Sequence, residues 1–240
     1  MKVSLLALGS TLVTFMAVSA APANPSLTTL PVKHATSAST GEDSTYLRVI
    51  TERAGKIVAT LGLPDSAAFY RVRTIVKEQY RALNAVYTER DERLKQLKDQ
   101  QPPADKNTSD SIKKNIQQDV DARVAKLHTA YLAKLATELN PQQVDMVKDG
   151  MTYNVRTVTF RAYEQMLPQL TDEQKKVIMD DLIEAREHAM DAGSSEKKHA
   201  WFGKYKGRIN NYLSSQGISM KKASEDWKKR KDAAAGAGTK

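Results

Sequence analysis

The chain of 240 residues contains no cysteine. That absence excludes disulfides, a thiol nucleophile, cysteine-ligated zinc and a lipid-modified N-terminal cysteine. The HExxH spacing of a zinc-binding helix is also missing, as is a glycine-rich phosphate-binding loop. No apolar run reaches the roughly 20 residues that a membrane-spanning helix needs. No glycine-punctuated alternation of apolar and polar residues marks a sheet, so the expected fold class is all-α. No cofactor, metal ligand or catalytic residue is assigned.

The first residues hold the most apolar run of the chain. Met1-Lys2 is a positive start, Val3 to Val18 is mostly apolar, and Val18-Ser19-Ala20 has the small residues that a signal peptidase accepts. Residues 1–20 are therefore expected to be a cleaved signal peptide. Residues 21–43, rich in Ala, Pro, Ser and Thr, read as a linker too poor in large apolar side chains to order itself. Residues 44–232 read as one all-helical domain, and 233–240 as a flexible tail. Export without cysteine fits a bacterial periplasm, or secretion, and no stable membrane insertion is expected after cleavage.

Charge is uneven along the chain. From Lys197 to Lys240 there are twelve Lys or Arg but only Glu225, Asp226 and Asp232 as acids, an excess of nine that equals the whole formal charge of +9. A basic end draws anionic partners. For an exported protein nucleic acid is not an expected partner, whereas an anionic glycan or an acidic protein surface is.

Two long helical stripes dominate the domain. Phe69, Val72, Val76, Tyr80, Leu83, Tyr87, Leu94 and Leu97 recur at three- and four-residue steps, and so do Ile112, Ile116, Val120, Val124, Leu127, Tyr131, Leu135 and Leu139. Pro102-Pro103 stands between them and cannot continue a helix. The expectation is a bundle of about six helices built on a long antiparallel hairpin. Thr152 to Phe160, with Val155, Val158 and Thr159, also suits a short strand.

Helix starts are marked by their caps. Asn140-Pro141-Gln142-Gln143 and Thr171-Asp172-Glu173-Gln174 both have capping-box chemistry, each after a leucine, and Leu63-Pro64-Asp65 opens the first long helix. This cadence resembles the Leu-Thr-x-x-Gln signature of small periplasmic helical chaperones that act without ATP. That resemblance implies unfolded protein clients as partners.

The densest cluster of polar and aromatic side chains lies near the C-terminus. Met166-Leu167-Pro168, the Leu170 to Gln174 cap, the run from Ala185 to Phe202 and the run from Lys204 to Leu213 resemble the hallmark of DUF3826, a bacterial domain-of-unknown-function family. The likeness extends over most of the mature chain. It implies an exported protein of bacteria that often degrade complex polysaccharides, and carries no catalytic residues with it.

Physically, Gly193-Ser194-Ser195 should end one helix near Ala192 and cap another running to about Ser215. On that helix Trp201, Tyr205, Arg208, Ile209, Tyr212 and Leu213 share a face, with Tyr205, Ile209 and Leu213 expected in the core. His199, Gly203, Lys206 and Asn210 share another. Gly203 and Gly207 cost helix stability unless something approaches closely, and a neighbouring helix is expected there. His188 and Asp191 lie one turn apart, and His199 is expected to approach them across the turn. The candidate binding residues are His188, Asp191, His199, Trp201, Lys204, Lys206, Arg208, Asn210 and Asn211. Three roles follow: a non-catalytic binding or accessory protein for an anionic partner such as an acidic polysaccharide, with Lys204, Lys206 and Arg208 pairing carboxylates; a chaperone-like cradle; and a glycan-directed hydrolase or lyase using His188 and His199.

Overall fold

Capping and hydrophobic periodicity set most of the helices. The computed structural model describes residues 40–103 and 105–237, so the expected signal peptide and the linker through residue 39 lie outside the described residues. Among the described residues there are eight helices and no strand: α1 Thr40–Val58, α2 Ser66–Asp99, α3 Lys106–Ala136, α4 Pro141–Met151, α5 Val155–Met166, α6 Asp172–Met190, α7 Ser195–Ser215 and α8 Met220–Ala237. None of them is long and apolar enough to cross a membrane.

Asp65 accepts from the Ala68 backbone N–H and starts α2. Asn140 with Gln143, and Thr171 with Gln174, form complete capping boxes on α4 and α6, each satisfying N–H groups that a helix start leaves open. Helices α2 and α3 lie antiparallel, because Arg71–Glu138, Arg123–Glu89 and Arg93–Asp119 pair in reverse order along them. Their stripes are inward: Val72, Val76, Tyr80 and Leu83 face Ile116, Val120, Tyr131 and Leu135 from the buried side.

The bundle has eight helices among the described residues rather than about six, and the segment Thr152 to Phe160 is a turn followed by the start of α5 rather than an extended strand. At Tyr153 and Asn154 the backbone turns left-handed, with φ of 58° and 56°. The Asn154 N–H bonds the Asp149 carbonyl at 2.8 Å and the Tyr153 N–H bonds that of Gly150 at 3.4 Å. These paired bonds close α4 in a Schellman end. A helix then satisfies its own backbone, whereas a lone strand would have no neighbour to pair with. Helix α8 runs to Ala237, into the segment expected as a tail. It is tied to the end of α5 by Arg230, whose Nη2 donates to the carbonyls of Gln165 and Met166 at 2.9 and 3.0 Å.

Two apolar cores result. One joins α1, α2, the end of α3 and α4 around Ile50, Val72, Leu135 and Met151. The other joins α5 to α8 around Leu167, Leu182, Phe202 and Ile209. They meet at the end of α6, where Ala189 belongs to the second core and Met190 to the first.

Gly193 fits this junction because a β-carbon there would stand 2.7 Å from Cδ2 of the Tyr87 ring. Gly203 and Gly207 do not have the helix neighbour expected of them: nothing approaches their missing β-carbons within 4 Å. Gly193→Ala is therefore expected to destabilise the fold by about 1–3 kcal/mol through overpacking. Gly203→Ala and Gly207→Ala are each expected to stabilise it by about 0.5–1 kcal/mol through helix propensity. Urea unfolding of the three variants checks both signs, and equal effects at all three would contradict this account of α7.

Candidate functional site

Between the two cores runs a polar seam built from residues that a purely apolar interior would exclude. Arg186, on α6, is 2 % exposed. Its Nη1 donates to Asp149 Oδ1 at 3.1 Å, and its Nη2 donates to Asp145 Oδ1 at 2.8 Å and Glu187 Oε1 at 3.1 Å. Asp149 is also clasped by Nε and Nη2 of Arg156, on α5. Burial alone would raise the Asp149 carboxyl, but hydrogen bonds from Arg156 and Arg186 hold it below its ordinary value.

The seam continues through Glu187, whose Oε2 accepts from Lys148 Nζ at 2.9 Å. Beyond it stands His128, from α3, with its Nδ1 at 2.6 Å from Asp191 Oδ2. Asp191 is the C-cap of α6 and also accepts from Gln79 Nε2 at 3.3 Å. The hydrogen bond with Asp191 raises the His128 pKa above its ordinary value, outweighing burial, and the charge of Glu187 adds to it. Lys198, buried on α7, donates to the carbonyls of Ala189 and Met190 at 3.0 and 2.7 Å and so closes the end of α6. Burial pushes its ammonium down to about 8 against the pull of Asp191.

Over this seam lies an open groove of about 1000 Å³. Its walls come from α2, α3, the end of α6 and the start of α7, and its floor carries His128, Glu187 and Asp191. Tyr87 and Arg90 stand on the α2 side, with the guanidinium 4.8 Å above the Tyr87 ring and paired to Asp91 at 2.7 Å. On the α7 rim, Trp201 stacks on His188 with ring centroids 4.4 Å apart and planes 16° from parallel. Lys204 Nζ lies 5.0 Å from the Trp201 ring, and Lys197 Nζ lies 5.8 Å from that of Tyr87.

The structure divides the candidate residues of the sequence among different surfaces. His188, Asp191, Trp201 and Lys204 come together in the groove. His199 does not join them. It faces the opposite flank of α7 and stacks on Tyr153, centroids 5.6 Å apart, because two residues along a helix turn about 200° between Lys197 and His199. The expected approach of His199 to His188 and Asp191 is thus corrected, and the histidine beside Asp191 is His128 instead. An enzyme that uses His188 and His199 together loses its geometry for the same reason.

Lys206 and Asn210 share the His199 flank, and Asn210 Oδ1 accepts from the Tyr163 hydroxyl at 2.8 Å. Arg208 is not a free cation: it pairs with Asp181 and Glu184, both at 3.1 Å. Asn211 is exposed two turns beyond Lys204 and outside the groove. Sequence reasoning missed His128, Tyr87 and Lys197. The one signal for His128 was its position beside the apolar stripe, between Val124 and Tyr131. Among the described residues no cluster of three His, Cys, Asp or Glu side chains is arranged to hold a metal ion.

A family model described as a protein of unknown function, DUF3826, matches residues 47–233. No curated protein matches the chain.

Removing Arg186 would leave Asp149 to Arg156 alone and Glu187 to Lys148 alone, so Arg186→Met is expected to cost about 1.5–3 kcal/mol in urea unfolding. The His128 tie has a definite pH sign. Its folded pKa is raised, so its contribution is complete below the unfolded value of about 6.5 and is lost as pH rises through the folded value. The stability gap between the native protein and His128→Gln should therefore narrow from pH 6 to pH 9. A gap that is constant or widens over that range would contradict the tie.

Proposed function

We propose that this chain, which belongs to the DUF3826 family of proteins of unknown function, is an exported binding protein that holds an acidic glycan in the groove over the polar seam. The observation that carries this reading is the α7 rim, where Lys197 and Lys204 flank the His188–Trp201 stack. Neither lysine pairs with a carboxylate among the described residues. Of the groove's acids, Glu187 and Asp191 are already engaged by Lys148, Arg186, Gln79 and His128, while Asp121, on the α3 wall, accepts from Gln117. The rim therefore has two cations to offer against one carboxylate without a cationic partner, Asp121, and the floor acids are held by partners of their own. An aromatic plate beside free ammonium groups suits a sugar ring that carries a carboxylate.

The groove is open, and its volume of about 1000 Å³ is at the upper end of small-molecule pockets, which leaves room for a segment of polymer. A client-binding role draws less support. The exposed large apolar side chains among the described residues, Val49, Tyr70, Tyr153 and Val158, stand on separate elements and make no obvious cradle.

Titration calorimetry of the chain from Ala21 onward with polygalacturonate at low salt tests the reading. Saturable binding is expected, weakening as salt is raised to about 0.15 M. Trp201→Ala and the double variant Lys197→Ala, Lys204→Ala should each weaken it about tenfold or more, equivalent to about 1.4 kcal/mol. Lys206→Ala, on the far flank, should leave it unchanged. No saturable binding at low salt would sink the proposal, and so would an equal loss with Lys206→Ala.

A further inference from the structure

On the groove floor a donor and an acceptor face each other without meeting. His128 Nε2 and Glu187 Oε2 are 3.8 Å apart, beyond direct hydrogen-bond reach, and their side chains are 25 % and 28 % exposed. Each is held from behind. The Nδ1 side of His128 is committed to Asp191 Oδ2 at 2.6 Å. Glu187 Oε1 accepts from Arg186, and Oε2 accepts from Lys148 at 2.9 Å. A carboxylate oxygen has room for a second donor, and an imidazolium has a second N–H. The groove therefore presents one fixed N–H and one fixed lone pair to a single gap.

One small group satisfies both. A hydroxyl oxygen about 2.8 Å from each partner accepts from the N–H and donates its own hydrogen to the carboxylate. A ligand carboxylate would meet Glu187 as a like charge, and a ligand ammonium would meet the imidazolium as one. We propose that His128 and Glu187 form a hydroxyl-reading subsite, and that with Lys197 and Lys204 at the rim they select a polyhydroxylated acid, a uronic-acid type of glycan, over polyanions without hydroxyls. This inference rests on the acidic-glycan reading of the groove. It places the ligand's hydroxyl edge toward α3 and α6 and its carboxylates toward the rim of α7. A ligand lacking the hydroxyl leaves the His128 Nε2 N–H without an acceptor and Glu187 Oε2 without a second donor, which is how a polar site rejects it.

The test compares two probes on the native full-length mature chain: polygalacturonate, and polyacrylate of similar length, which has carboxylates but no hydroxyls. Calorimetry at low salt should give at least about tenfold tighter binding to polygalacturonate per carboxylate, equivalent to about 1.4 kcal/mol. His128→Phe, which removes the N–H while keeping a planar ring, should bring the two affinities to within about threefold of each other, with circular dichroism checking that it folds. If that variant does not fold, the native protein's preference still decides, supplemented by the milder Glu187→Gln. Equal affinity of the native protein for both polymers overturns the subsite while leaving anion binding intact. A preference that survives unchanged in a folded His128→Phe or Glu187→Gln also overturns it. Absence of binding to polygalacturonate defeats the groove reading itself, a result distinct from either of these.

Discussion

A guanidinium taken out of water must be neutralised where it lies, and the packing of this bundle is organised around that requirement at Arg186. Asp145, Asp149 and Glu187 converge on it from α4 and α6, and Arg156 reaches Asp149 from α5. The Asp149 backbone is fixed by the bond that closes α4, and its carboxylate is held from two sides by Arg156 and Arg186. One arginine thus fixes the relative placement of three helices at the point where the two apolar cores touch. Apolar contact alone is tolerant of sliding, whereas a guanidinium with several hydrogen bonds accepts few positions.

The groove follows from the same constraint. Side chains in the seam point toward one another, so the region above it cannot be filled with apolar packing as the cores are. What remains is an open depression with a charged, hydrogen-bonded floor and a rim supplied by α2 and α7. Floor and rim therefore differ in kind. On the floor, Asp191, His128 and Glu187 are pinned by partners and present fixed directions. On the rim, Lys197 and Lys204 lie over aromatic rings and keep their charge available. A polar ligand with hydroxyls on one edge and acid groups on the other suits that division, and this complementarity supports the proposed binding role.

The buried lysine shows how closely the seam and the helix ends are connected. Lys198 comes from the start of α7 yet satisfies two carbonyls at the end of α6, groups that a helix terminus leaves without partners. The neighbouring Gly193 lets the Tyr87 ring lie against the turn, and the Tyr87 hydroxyl donates to the Asp191 carbonyl at 2.9 Å. The α6–α7 turn is thereby held from α2, and the His188–Trp201 stack is brought to the groove's edge.

Local chemistry made much of this visible before any fold was known. Asn140 and Thr171 cap helices because their side chains reach backbone N–H groups three residues on, and the stripes from Phe69 and Ile112 bury one face because a helix repeats every 3.6 residues. The same reasoning found the α6–α7 turn and the aromatic block after it, and placed Tyr205, Ile209 and Leu213 in the core. It could not separate Lys204 from Lys206, or tell that Arg208 would be spent on Asp181 and Glu184, because those distinctions depend on which flank of α7 meets α6. Nor could it pair His128 with Asp191 across 63 residues. The sequence by itself determined the helices, their caps and the dense block, all of which rest on contacts a few residues apart; tertiary structure alone decided the seam and the groove, because a buried charge selects its partners by proximity in space.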